Sequence, residues 1–128
     1  MSGELENESS TFDIGGELTV HRLGFGARRL NGEDIVGPPE DESEAGNVIR
    51  RAVDLGVDFI DTADSYGPGV SERLLGEEID DGDDVVIASK AGLLRNRNGE
   101  WLPHGGPEYH RNQVLCSHDR LRTDRIDL

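Results

Sequence analysis

An aspartate, a tyrosine and a lysine stand where they could handle a proton together. Asp61 and Tyr66 belong to the stretch VDFIDTADSYG, residues 57–67, which starts as an apolar run of strand-forming residues and turns polar within a few positions. Lys90 closes a second such run, VVIASK, and is the only lysine in a chain whose other basic positions are twelve arginines. Lysine is a compact charge whose proton affinity responds to burial, whereas a guanidinium is planar and in effect always charged. A lone lysine at a strand end therefore points to a task that arginine cannot perform. A phenol titrates near ~10 in water, too high to hand over protons readily at neutral pH. An adjacent ammonium favours the phenolate, and a carboxylate fixes that ammonium in place. If they converge, Asp61, Lys90 and Tyr66 make a tunable general acid, suited to a carbonyl oxygen that gains negative charge as hydride arrives. Taken singly, Asp61 reads as a turn cap, Tyr66 as a half-buried packing residue and Lys90 as a surface ion-pair partner. Their order and their placement at strand ends argue for a site.

That placement rests on the surrounding elements. Two β-type stretches come first, TFDIGG and LTVHRLGFGA, with Gly15-Gly16 between them as a hairpin signal. After a loop rich in Gly, Pro and Asn, Asp41 with Glu44 three positions on resembles a capping box. Val48, Ile49, Ala52, Val53 and Leu55 then form an apolar helix face that Gly56 terminates. The strand Val57 to Asp61 follows directly. Ser71 is placed to cap a second helix with Leu74, Leu75 and Ile79 facing inward. DDGDD reads as an acidic turn, VVIASK as a β-branched strand, and AGLLRNRNGEWLPHGG as a long loop. Pro107 suits the first turn of a third helix, whose inner stripe would be Val114, Leu115, His118 and Leu121, and RIDL starts one more strand. Strand alternating with helix is the rhythm of an α/β fold with a parallel sheet wound by right-handed crossovers. Such sheets bind ligands at the carboxyl ends of their strands. Asp61 then sits at a rim, Asp64 and Tyr66 lie on the loop above it, and Lys90 takes the equivalent rim position on the next strand.

Composition narrows the function classes. A chain of 128 residues fits one domain, although its 34% of hydrophobic residues is low for a globular protein. Against 27 acidic residues stand 13 basic ones, a net charge of −14. A field of that sign repels nucleic acid and anionic membrane, and neither is expected as a partner. The same charge is a solvation strategy that suits a concentrated-salt cytoplasm, where screening removes most self-repulsion. The single cysteine, Cys116, forms no internal disulfide, compatible with a reducing compartment. MSGELENESS has neither the basic start nor the apolar core of a signal peptide or anchor, so a cytoplasmic protein with a frayed, acidic stretch over residues 1–10 is expected. GFGARR lacks the third glycine of a dinucleotide fingerprint, and a proline-containing loop follows it where a helix should. No Cys/His spacing supports a metal, and the acidic blocks PEDESE and DDGDD lack the EF-hand pattern and read as solvated surface.

Four stretches in order, LTVHRLGFGARRL, GVDFIDTADSYGPGVSERLLGE, VVIASKAGL and LRTDRIDL, resemble successive motifs of the aldo-keto reductase family. VGPPED together with DTADSYGPGVSE is most similar to its pyridoxal-reductase-like branch, and the likeness runs from about residue 18 to residue 128. The resemblance implies a (β/α)8 TIM barrel, closed at its bottom by an N-terminal β-hairpin, that reduces aldehydes or ketones with NADPH. It also implies roles: Tyr66 as proton donor, Lys90 as the partner that lowers its pKa, Asp61 as the residue orienting that lysine, and the turn Gly26-Ala27-Arg28, with Asp61, near the nicotinamide. A full barrel takes ~250 residues, and this sequence is expected to represent the N-terminal half, ending within the fourth barrel strand. The family's catalytic histidine is expected a few residues beyond RIDL, a place that none of His21, His104, His110 or His118 occupies. Two readings follow: an NADPH-dependent oxidoreductase of small carbonyl substrates present as an N-terminal fragment, or a non-enzymatic remnant that is either inactive or an interaction module. The unpaired edges of a half-barrel are expected to find a complementary C-terminal half, to pair as a homodimer, or to aggregate.

Overall fold

The computed structural model describes residues 10–128. The expectation of fraying over the first ten residues falls almost wholly on residues 1–9, outside the described ones. Strands β1 (Thr11–Ile14) and β2 (Leu18–His21) form an antiparallel hairpin in the register Thr11 to His21 and Ile14 to Leu18. Both turn glycines, Gly15 and Gly16, adopt positive φ, 62° and 76°, a conformation that L side chains resist. The hairpin is tied to the rest of the chain where the His21 N–H donates to Asp58 at 2.9 Å.

Strands β3 (Phe25–Gly26), β4 (Phe59–Asp61) and β5 (Val86–Ala88) form a parallel sheet in the order β3-β4-β5. Each connection carries a helix: α1 (Glu42–Asp54) lies between β3 and β4, and α2 (Val70–Glu78) between β4 and β5. The fold is thus α/β with parallel strands, as expected, and three strands of it are laid down among the described residues. RIDL does not form a fourth. It touches the sheet through one backbone bond, Ser89 N–H to the Leu128 carbonyl at 3.1 Å.

The core is the layer between sheet and helices. Ile60 on β4 meets Ile49 and Ala45 of α1, Leu74 and Leu75 of α2, and Leu121 of α3 (Pro107–Leu121), with Ile87 packed against them. Asp41 caps α1 as its spacing with Glu44 predicts, accepting the Glu44 N–H at 3.1 Å. Val48, placed on the inner face by pattern, is exposed; Ala45, Gly46, Ile49 and Ala52 form the buried stripe. Ser71 does not cap α2. Gly69 holds that position, and Ser71 is buried in the first turn with its hydroxyl turned to the strand ends. The inner stripe of α3 is also revised. Leu121 and Ser117 are buried and His118 half-buried, but Leu115 and Val114 face solvent, and the helix docks on α2 partly through a polar group, Arg120. The stretch after β5 is not an unstructured loop: β6 (Leu93–Arg95) and β7 (Trp101–Pro103) pair as an antiparallel hairpin.

Candidate active site

β4 ends at Asp61, whose register partner on β5 is Ala88. The backbone ladder runs on past both strands: the Thr62 N–H donates to the Ala88 carbonyl at 2.8 Å and the Asp64 N–H to the Lys90 carbonyl at 3.1 Å. This continuation brings Lys90 alongside Asp61. The ammonium donates to both carboxylate oxygens of Asp61 at 2.9 Å and to the Thr62 carbonyl at 2.7 Å. All three of its donor directions are used, so its position is fixed although both side chains are half exposed. It lies 5.3 Å from the centre of the Tyr66 ring. The three residues singled out by sequence do converge, with the ammonium set toward the face of the Tyr66 ring.

Sequence reasoning missed the wall of this site. Trp101, the only tryptophan in the chain, meets Tyr66 edge to face with ring centres 6.4 Å apart. Its ring is stacked by the Arg95 guanidinium at 3.7 Å, and Arg28 stands over it at 6.0 Å. Arg95 in turn donates to the carbonyls of Asp34, Ile35, Ser65 and Gly99, which pins the β6–β7 hairpin against the Tyr66 loop. The signal was available: Asn98-Gly99 between apolar runs is a hairpin signature. The cleft so bounded, about 430 Å³, is lined by Arg28, Ala63, Tyr66, Lys90, Leu93 and Trp101, among others, within the range of small-molecule sites. A larger depression of about 660 Å³ lies beside Leu18, Asp84 and Thr123. It opens toward the N-terminal end of β5, away from the strand ends where the candidate proton-handling groups gather.

Beneath the site runs a buried polar layer. The Thr62 and Ser71 hydroxyls lie 2.8 Å apart, and Ser71 donates to the Ala27 carbonyl at 3.2 Å, binding the turn after β3 to the end of β4 and the start of α2. Glu72, fully buried, accepts from Ser89 at 2.8 Å and from Arg120 of α3 at 3.0 Å. Ser89 precedes Lys90, so this bond steadies the segment that carries the ammonium. Asp64 is also buried and accepts from the Tyr109 hydroxyl at 3.3 Å. Burial pushes its carboxyl above the ordinary range and the charge of Glu72 adds to the rise, against the opposing hydrogen bond from Tyr109. The Tyr109 hydroxyl is pushed up too, by burial and then by the negative charge of Asp64.

Gly26, Ala27 and Arg28 lie at the carboxyl end of β3, beside Asp61 through the register Gly26 to Asp61. Ala27 is fully buried, Gly26 is exposed, and a methyl group added at Gly26 would meet nothing within 4 Å. The Tyr66 hydroxyl makes no hydrogen bond within the described residues. An open floor, a free phenol and a fixed ammonium fit the redox end of a nicotinamide cofactor and its carbonyl substrate.

The model of the aldo/keto reductase family matches residues 22–128. This chain belongs to that family. It is 44% identical over 113 residues to an uncharacterized oxidoreductase of Schizosaccharomyces pombe, and 40% identical over 121 residues to pyridoxine 4-dehydrogenase of Escherichia coli. These matches cover 88% and 94% of this chain but 37% and 41% of the relatives, so the chain spans well under half their length. Among solved structures, the glycerol dehydrogenase of Gluconobacter oxydans superposes with a TM-score of 0.81 at 29% identity, over 94% of this chain and 38% of that one. An aldo-keto reductase of Klebsiella pneumoniae in complex with NADPH shares the fold with a TM-score of 0.69 at 24% identity, over 92% and 37%. The family match and these superpositions agree on the α/β fold of the chain.

Proposed function

We propose that this polypeptide supplies the proton-handling half of an NADPH-dependent reductase of small aldehydes or ketones. The observation that carries the reading is the Lys90 ammonium, bound to both oxygens of Asp61 at 2.9 Å and set 5.3 Å from the Tyr66 ring. When bound, a reduced nicotinamide supplies the hydride. Tyr66 donates its hydroxyl proton to the carbonyl oxygen as negative charge develops there, so that the alcohol leaves neutral. Lys90 stabilises the phenolate left behind, and Asp61 keeps the ammonium charged and in place. Gly26, Ala27 and Arg28, with Asp61, form the floor on which the nicotinamide ring would rest. A nicotinamide cofactor, taken as NADPH, is part of the proposal, supported by the family match.

The test is a single atom. In the barrel completed by a C-terminal portion, Tyr66→Phe removes the proton donor and little else, and a loss of about 10²–10⁴ in kcat is expected. Turnover unchanged by that substitution would reject the assignment. The 128-residue chain alone is expected to give no aldehyde-dependent NADPH oxidation, and micromolar NADPH binding with turnover would overturn this. A second reading, a non-catalytic module that works by association, is favoured by the sheet itself: among the described residues β3 and β5 pair as strands only with β4. The proposed occupants of those edges are a complementary C-terminal half or a second copy of this chain. An intracellular, salt-adapted setting remains part of this reading, supported by the net charge of −14.

A further inference from the structure

In a chain of net charge −14, arginines are expected to find carboxylates, and five of the twelve do among the described residues: Arg50 pairs with Asp83, Arg73 with Glu42 and Glu77, Arg111 with Glu108, Arg120 with Glu72, and Arg125 with Asp127. Arg28 and Arg95 do not. They stand about the same indole, at 6.0 and 3.7 Å from the Trp101 ring centre, and neither makes an ion pair among the described residues. Arg95 donates to backbone carbonyls alone, through its two terminal nitrogens, while its buried Nε has no partner among the described residues. Burial and the neighbouring charge of Arg28 both hold its pKa below the ordinary value, with Asp34 opposing. Arg28 is exposed and lines the cleft.

The other charged groups of the cleft do not cancel this excess. Lys90 is matched by Asp61. Asp64 is buried and engaged by the Tyr109 hydroxyl at 3.3 Å, not by Arg28. Glu33 and Asp34 line the far side of Arg28, in a neighbouring depression, without pairing with it. The mouth of an otherwise acidic protein therefore carries a positive charge with free donors, on the same wall as Tyr66 and Trp101. A guanidinium fork matches a carboxylate or phosphate in two parallel hydrogen bonds.

We propose that Arg28 is a specificity residue that selects carbonyl substrates bearing an anionic group, a carboxylate or a phosphate, with the carbonyl directed to Tyr66 and the apolar middle of the molecule against Trp101. This deepens the reductase reading and rests on it. The anion also relieves the mutual repulsion of Arg28 and Arg95, so affinity is gained beyond the new hydrogen bonds. The distance a ligand spans is that of one small molecule, because both ends lie in a single cleft of about 430 Å³.

Trp101 is the only tryptophan, so its fluorescence in the full 128-residue chain reads the cleft directly. Titrations with 4-oxobutanoate, butanal and acetate are compared in low salt. The carboxylate-bearing aldehyde is expected to bind about tenfold or more tighter than butanal of the same length. Arg28→Gln should collapse that advantage to within about twofold, and Arg28→Lys should restore part of it. No advantage for 4-oxobutanoate, or an advantage that survives Arg28→Gln, overturns the proposal. So does an advantage lost only in Lys90→Met, which would place the anion at the proton-donor site. Acetate binding as tightly as 4-oxobutanoate also counts against it, since the aldehyde would then contribute nothing. Repeating the series in the barrel completed by a C-terminal portion, with NADP+ present, separates a substrate anion from the cofactor's phosphates: competition would assign Arg28 to the phosphates and sink the inference. The reductase reading fails separately, if 4-oxobutanoate binds through Arg28 but the completed barrel does not reduce it.

Discussion

Asp64 and Asp61, three residues apart, divide their work by environment. Asp61 is half exposed and engaged by an ammonium, whereas Asp64 is buried beneath the cleft with Glu72 as a charged neighbour and neutral donors, the Tyr109 phenol and the Ser65 backbone, on it. A carboxyl whose folded pKa is raised contributes stability that is fully present below its unfolded value and is lost as pH rises through the folded one. At neutral pH its ionisation is therefore a cost. Asp64→Asn keeps an acceptor for Tyr109 and removes the charge. The variant is expected to melt higher than the parent at pH 7, with the difference shrinking as pH falls through the raised folded value and gone below about 4, near the unfolded carboxyl value. Thermal melts across that range check it, and a constant difference at all pH values would contradict the assigned cause. Asp61, Tyr66 and Lys90 were legible from sequence because strand ends are legible: a β-branched run followed by polar residues locates a rim. Glu72, Ser89 and Arg120 were not, since no local pattern tells a buried ion pair between helices from a solvated one.

Helix α2 sits between α1 and α3, and its two contacts obey different rules. Toward α3 the backbones come so close that a methyl group at Gly76 would overlap the carbonyl oxygen of Arg120 and crowd Leu121. Gly76→Ala must push the helices apart, and overpacking of this kind costs about 1–3 kcal/mol. Glu72, one turn earlier on α2, reaches Arg120 in the same interface, and removing one partner of a buried pair costs about 3–5 kcal/mol. Glu72→Ala should be the more damaging of the two in urea denaturation. It should also loosen the segment Ser89–Lys90, visible as faster chemical modification of the sole lysine. Equal modification rates in parent and variant would show that Ser89 does not transmit the effect. This interface also explains which elements sequence pattern found. Asp41 and Glu44 announce the start of α1 because capping is local. The inner face of α3 eluded pattern because it is partly polar: Leu115 and Val114 are the conspicuous apolar residues, yet Ser117 and Leu121 are the buried ones and Arg120 reaches Glu72 of α2. The β6–β7 hairpin hid behind charged residues, its strands being short and largely exposed.

At the scale of the molecule, the two faces of the sheet differ. Ile60 and its register partner Ile87 point toward the helices and join the core. By the alternation of a strand, Phe59 and its partner Val86 point the other way, where no helix layer covers them. The outer edge of β3 presents backbone groups without a strand partner among the described residues, and that of β5 is met at one point, by Leu128. An open parallel edge beside an apolar face is a template for pairing with another chain. At low ionic strength the charge of −14 holds copies apart. Salt screens that repulsion over a few ångströms and strengthens apolar burial when its ions are of the excluded kind. The 128-residue chain should therefore self-associate, and more strongly as salt rises. Sedimentation at several protein concentrations, in dilute buffer and then in concentrated sulfate, is expected to show a mass that climbs with both variables. Charged substitutions aimed at the apolar face, Phe59→Glu with Val86→Lys as a second case, should hold the mass down. A sharply melting monomer at every salt concentration would mean that the face and edge are already satisfied within the chain.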